Sequence, residues 1–208
     1  MRTIQIGKNP LCLKRDMYEK DEVEIKTGLT VLAGCNGSGK TTFLTILEHE
    51  LTHNKIPCIK FDNLLHGGNN AKQAAAFRDD FAFVMQSAIS SEGENIILNM
   101  GQLAAKTGRF VKENPDIKEL WILMDAVDSG LSIDNICDVK KYLFKPILND
   151  SRLLGKEVYI VVSANTYEMA AEANCLDVQT FDYCKFSSYE EYKTFILKTK
   201  ERKELRDK

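Results

Sequence analysis

An α/β fold with a mainly parallel sheet flanked by helices, and a small antiparallel β flap at its N-terminal end, is predicted by three features of this chain. Short apolar runs recur along it, at residues 29–33, 120–124 and 158–162. Strands that are apolar at every position are buried on both faces, as in a parallel sheet covered by helices. Helical patterns separate these runs, the alternation expected of an α/β architecture. The segments before the first of them, at 3–6, 11–14 and 22–26, have alternating or mixed polarity instead, the mark of half-exposed strands in a flap.

Each element follows from its local pattern. Leu29-Thr30-Val31-Leu32-Ala33 is a buried strand. From Thr42 onward, Phe43, Ile46, Leu47 and Leu51 share one helical face. Residues 56–61 form the next strand, and Leu65–Asn70 is a loop by composition. An Ala-rich helix of roughly 15 residues starts at Ala71 and ends near Met85. After the polar break at 90–94, Ile96, Ile97, Met100, Leu103 and Ala104 line a strong helix. The strand 120–124 ends on Asp125. A long amphipathic helix then carries Ile133, Ile136, Cys137, Leu143, Ile147 and Leu148, with a kink expected at Pro146. Strand 158–162, a short helix and a weak strand near 176–181 follow. Tyr189, Tyr192, Phe195 and Ile196 mark the face of a last helix. Residues 1–208 are expected to make one domain, since no repeat, linker or low-complexity tract interrupts the pattern.

Between the first buried strand and its helix lies Gly34-Cys35-Asn36-Gly37-Ser38-Gly39-Lys40-Thr41, which fits G-x-x-x-x-G-K-[ST]. Glycines let successive backbone N–H groups curl inward, and the helix N-terminus adds positive potential, so the segment is an anion cradle. Gly34, Asn36, Gly37, Ser38, Gly39, Lys40, Thr41 and Thr42 are therefore the candidate nucleotide-binding residues of a P-loop NTPase fold. Lys40 reaches the β- and γ-phosphates of ATP, and the Thr41 hydroxyl ligates Mg²⁺. Asp125, ending an apolar strand, is a second candidate for the Mg²⁺ shell.

The 208 residues are 44% hydrophobic and 28% charged, with formal net charge −2. Whole-protein charge does not point to nucleic acid. Residues 198–208 carry a local excess of positive charge (Lys198, Lys200, Arg202, Lys203, Arg206 and Lys208 against Glu201, Glu204 and Asp207). This C-terminal tail is expected to be a solvated, fraying helix end. The six cysteines lie far apart with no C-x-x-C pair, consistent with a reducing compartment. His49 and His53, spaced i, i+4, read as a solvated helix face. No run approaches a membrane span, and no signal-peptide pattern opens the chain, so a cytoplasmic location is expected.

Two further segments narrow the class. Ser91-Glu92-Gly93-Glu94 opens a helix, and Ser129-Gly130-Leu131 follows Asp125 closely. With the glycine loop and its Asn36, this ordered set, spanning roughly residues 29–165, resembles the ATP-binding-cassette (ABC) ATPases. It is most similar to the head domains of chromosome-maintenance and recombination-repair ATPases. The resemblance implies an ATP-dependent head-to-tail dimer, in which Ser91, Gly93 and Glu94 of one protomer meet the γ-phosphate held by the other. It also implies that 129–131 crosses to the second subunit, that Gln86 contributes to the Mg²⁺ shell, and that DNA or a nuclease is a partner.

The chain departs from that pattern in three places. The catalytic glutamate that follows the magnesium aspartate is replaced by Ala126, with Asp128 the nearest substitute. The switch histidine after the next strand is replaced by Ala164, leaving Ser163 or Asn165 as donors. Gln86 lies only five residues before Ser91, so the usual helical insertion is nearly absent. The expectation is good ATP binding with weak or slow hydrolysis. A non-hydrolysing nucleotide-gated interaction module is the alternative, and a P-loop nucleotide kinase a further one. The kinase lacks an arginine-rich lid here, since Arg78 and Arg109 alone lie between the nucleotide motifs. Tyr18 is a candidate to stack on adenine, against ordinary packing at a strand edge.

Overall fold

The computed structural model describes residues 1–7, 17–62 and 92–207. Two short strands, β1 (Arg2–Gln5) and β2 (Glu22–Ile25), pair antiparallel as a separate ribbon. The main sheet contains β3 (Gly28–Ala33), β4 (Cys58–Asp62), β5 (Glu119–Asp125), β6 (Glu157–Ser163), β7 (Asn174–Asp177) and β8 (Tyr183–Cys184). Their order is β4-β5-β6-β3-β7-β8, parallel throughout except for β8 at the edge. The fold is mixed α/β, as the apolar runs predict. The strand expected at 11–14 and the helix from Ala71 to Met85 lie outside the described residues.

The continuous apolar strands are two-sided, and successive residues feed different cores. On β5, Trp121 and Leu123 face one side while Leu120, Ile122 and Met124 face the other. On β6, Tyr159 and Val161 alternate in the same way with Val158, Ile160 and Val162. The first side is closed by α1 (Lys40–His53), through Phe43, Ile46, Leu47 and Leu51, together with Ile4, Val23 and Ile25 of the ribbon. Trp121 stacks on Tyr159 at 4.0 Å between ring centroids, and both are fully buried. The second side is closed by α2 (Glu92–Glu113), with Leu103 and Val111, and by α3 (Ile133–Asp138), with Ile136.

A π-helical stretch at Val139–Phe144 continues α3 into α4 (Lys145–Leu148). The deviation expected at Pro146 thus falls on the turn before it, where the missing proline N–H leaves an upstream carbonyl without its helical donor. The π stretch also turns the apolar face. Ile136, Val139, Leu143, Phe144 and Ile147 are buried, whereas Ile133 is 63% exposed and Cys137 is exposed, against the regular-helix expectation.

The weak strand expected near 176–181 is two strands and a turn. β7 ends at Asp177, and β8 returns antiparallel. After α5 (Tyr167–Ala170), the last helix α6 (Tyr189–Arg206) begins at a Ser188 cap whose side chain accepts from the Glu191 N–H. It buries Tyr192 and rests Phe195 and Ile196 on the second core. No helix among the described residues is long and apolar enough to cross a membrane.

Candidate functional site

The glycine loop leaves the carboxyl end of β3 and enters α1, so the sheet aims its mouth at the loop. Gly39 caps α1 with φ 104°, and Gly37 has φ 73°, both left-handed conformations that favour glycine. A Cβ on Gly39 would also lie 2.8 Å from Met17 Sδ. Tyr18 Oη donates to the Gly39 carbonyl at 3.0 Å, and its ring stacks on Phe181 at 5.1 Å beneath the loop. Tyr18 is buried, so it serves as packing for the loop and is not set out as an adenine platform.

Lys40 is buried against its own loop. Its Nζ donates to the Gly34 carbonyl at 2.7 Å and to the Cys35 carbonyl at 3.1 Å. Burial draws this ammonium below the ordinary lysine value of 10.5, opposed by the nearby Cys35, Asp128 and Asp125. Both carboxylates therefore lie close enough to act on it. Ser38 Oγ is buried with no hydrogen-bond partner among the described residues. Asn36, Gly37 and Thr41 are exposed and Thr42 is half-buried.

Opposite the loop, the carboxyl ends of β5 and β6 are stapled together. Ser163 Oγ donates to Asp125 Oδ1 and accepts from the Ala126 N–H at 2.8 Å. The Ala126 N–H is shared with Asp125 Oδ1 at 3.0 Å, and the Val127 N–H donates to the Ser163 carbonyl. Ala126 itself has φ 49°, an uncommon conformation for a residue with a Cβ, costing about 1–2 kcal/mol. Asp128 reaches across in the same sense. Its Oδ2 accepts from the Asn165 and Thr166 N–H groups, each at 2.7 Å, while its Oδ1 is buried and has no hydrogen-bond partner among the described residues. Ser163 is thus engaged with Asp125, and Asn165 is exposed with its backbone tied to Asp128.

Beyond Asp128, Ser129 and Gly130 are exposed in a turn held by Leu131 N–H donating to the Asp128 carbonyl. Gly93 and Glu94 fall in the first turn of α2. Gln86 and Ser91 lie outside the described residues. The set brought together is the loop, Lys40, Asp125 and Asp128.

The helix α6 adds residues that the sequence reading did not assign to the site. Thr199, fully buried, accepts the Cys35 N–H on its Oγ1 at 2.9 Å and donates to the Ile196 carbonyl. Lys203 Nζ donates to the Asn36 carbonyl at 3.4 Å. Arg202 pairs with the buried Asp177, and Arg206 donates to the Met17 carbonyl at 2.8 Å. Residues 198–206 are therefore not simply a solvated, fraying end: one face of them lies on the loop. No local pattern announces this, because the partners are more than 160 residues apart at Cys35 and Asn36.

Mg²⁺ is commonly held by one or two carboxylates together with substrate phosphates. Asp125 keeps Oδ2 outside the bonds named above, and the exposed Thr41 is the first residue after Lys40 in α1, so the donor set fits that use.

No protein-family profile matches the chain, and no curated protein matches it. Among solved structures, it is similar to a replication initiator DnaA bound to AMPPCP and single-stranded DNA, with a TM-score of 0.34 and 14% sequence identity. That match covers 82% of this chain and 38% of the DnaA chain. At this level the likeness assigns the chain neither a family nor a ligand.

Proposed function

We propose that this chain binds ATP at the glycine loop in the manner of an ABC-type ATPase, forms a nucleotide-dependent head-to-tail dimer, and hydrolyses ATP to ADP and phosphate slowly. The observation that carries the reading is Lys40, a buried ammonium whose hydrogen bonds among the described residues go to carbonyls of its own loop, with Asp125 and Asp128 near enough to act on its charge. An incoming phosphate exchanges those neutral acceptors for anionic ones, which hold an ammonium about twice as strongly. Gly34 to Thr42 provide the N–H groups and hydroxyls of the cradle.

Thr41 and Asp125 would hold Mg²⁺, with Gln86 completing the shell; the ion would neutralise charge that develops on the phosphates. Ser91, Gly93 and Glu94 of a second copy would close the site from above, at a helix N-terminus suited to an anion. Asp128 is the candidate base through its Oδ1, which has no hydrogen-bond partner among the described residues. Its other oxygen is committed to two N–H groups, so the carboxylate cannot swing freely toward a water. Loss of a properly placed base costs on the order of 10²–10⁴ in rate, which is why turnover is slow. DNA or a nuclease would be the partner that the dimer engages.

The methyl group at position 126 favours one second reading, a non-hydrolysing module gated by ATP alone. Light scattering with and without Mg-ATP, beside a phosphate-release assay, tests both. A doubling of mass on ATP with slow release supports the first reading, and doubling with none supports the second. An unchanged mass with tight ATP binding overturns the dimer.

A further inference from the structure

Lys203 lies against the glycine loop at Asn36 and Gly37. Thr199, Lys203 and Arg206 follow one another on a single face of α6, at the i, i+4 and i+7 spacing that stacks side chains along a helix. Thr199 fixes the register by accepting the Cys35 N–H, and Arg206 anchors the next turn on the Met17 carbonyl. Between these two anchors, the Lys203 ammonium lies at the loop and donates to the Asn36 carbonyl.

The lysine end lies close over Gly37, where the left-handed φ of 73° independently favours glycine. A Cβ there would lie 2.7 Å from Lys203 Nζ and 3.3 Å from Cε. The neighbouring cations of α6 are already neutralised: Lys200 pairs with Glu204 at 3.7 Å, Arg202 with Asp177, and Arg206 with Asp207 at 3.8 Å. Lys203 has no carboxylate partner among the described residues, and its one acceptor is the neutral Asn36 carbonyl at 3.4 Å. That is a long bond for an ammonium, which prefers anionic oxygens at about 2.7–2.9 Å.

Two lysines thus bracket the first half of the loop. Lys40 holds the Gly34 and Cys35 carbonyls, and Lys203 holds the Asn36 carbonyl. Lys40 of such a loop serves the β- and γ-phosphates, so this half of the loop borders the terminal end of a bound triphosphate.

We propose that Lys203 is a second phosphate-binding cation, which leaves the Asn36 carbonyl for the terminal phosphate and makes the site prefer a nucleoside triphosphate over the diphosphate. The proposal rests on the reading of the loop as a nucleotide site. It gives the basic C-terminal helix a task within its own chain: α6 reports at the loop on whether the last phosphate is present.

Calorimetric titration of the full chain with Mg-ATP and Mg-ADP, on the wild type, Lys203→Gln, Lys203→Arg and Lys40→Ala, tests it. In Lys203→Gln, ATP affinity falls by about 10- to 50-fold and ADP affinity by less than about 3-fold. Lys203→Arg keeps most of the preference, and both Lys203 variants unfold at the wild-type temperature. Equal weakening of ATP and ADP, or a fall in unfolding temperature that accompanies it, makes Lys203 a structural staple and overturns the proposal. So does an unchanged ATP affinity. If the wild type binds neither nucleotide, or Lys40→Ala binds both as well as the wild type does, the loop reading fails and this proposal goes with it.

Discussion

The glycine loop presents an ammonium whose partners are the loop's own carbonyls, whereas the end of β5 presents carboxylates already held by N–H and hydroxyl groups from the end of β6. One side of the mouth holds its ammonium only through neutral carbonyls, which an incoming phosphate replaces with stronger anionic acceptors. The other side has no such exchange: releasing Asp128 would orphan two N–H groups, and releasing Asp125 would undo the staple that holds Ala126 in its left-handed conformation. The contrast separates holding a nucleotide from turning it over. A cation held by neutral acceptors beside carboxylates committed to the fold is what the proposed slow turnover would require.

The largest test of this contrast equips the rigid wall with what it lacks. Ala126→Glu is expected to raise phosphate release by about 10²–10⁴, read in a single-turnover assay, and an unchanged rate means the catalytic position is elsewhere. The substitution leaves the backbone penalty as it is, since alanine already bears a Cβ at that φ. On the other side of the mouth, Lys40→Ala is expected to lower ATP affinity by about 100-fold, with some loss of stability as well, since it strips the buried Gly34 and Cys35 carbonyls of their donor. Equal affinity in that variant removes the loop side of the comparison. Next in size, Asp128→Ala is expected to cost about 1–3 kcal/mol in chemical denaturation by stranding the Asn165 and Thr166 N–H groups. Asp128→Asn retains an acceptor and loses less; the reverse ranking would break the clamp assignment.

The smallest effect concerns pH. Burial holds the folded-state value of Lys40 below 10.5, so between the two values the unfolded chain binds the additional proton. Stability of the wild type relative to Lys40→Met therefore rises with pH as 10.5 is approached, and is flat below the folded value. A difference that falls across that window contradicts a buried ammonium.

The sheet and the loop were readable from local signals. Strands buried on both faces must be apolar at every position, and an anion cradle needs its glycines and lysine contiguous, so β3, β5, β6 and residues 34–41 announce themselves. Ile133 and Cys137 went astray because a regular period was extended through a segment that is π-helical before Pro146. Ser163 was read as a donor to phosphate, but it faces Asp125, a contact that depends on β5 and β6 being neighbours in the sheet. The placement of α6 was illegible for the same reason at greater range. A basic helix looks the same in sequence whether it is solvated or lies over a loop 164 residues away, as Thr199 does.

The stack of Trp121 on Tyr159 gives the molecule its own optical gauge. Trp121 is the one tryptophan in the chain, it is fully buried, and it sits near the amino end of β5. Four residue steps of about 3.3 Å each lead from it to Asp125, so roughly 13 Å of packed strand lies between the indole and the mouth. Its emission should be blue-shifted in the native state, indifferent to occupancy of the loop, and red-shifted only when the sheet opens. Intrinsic fluorescence then follows integrity of the fold independently of whatever the loop holds, so a variant that has lost affinity can be told from one that has lost its structure in the same cuvette.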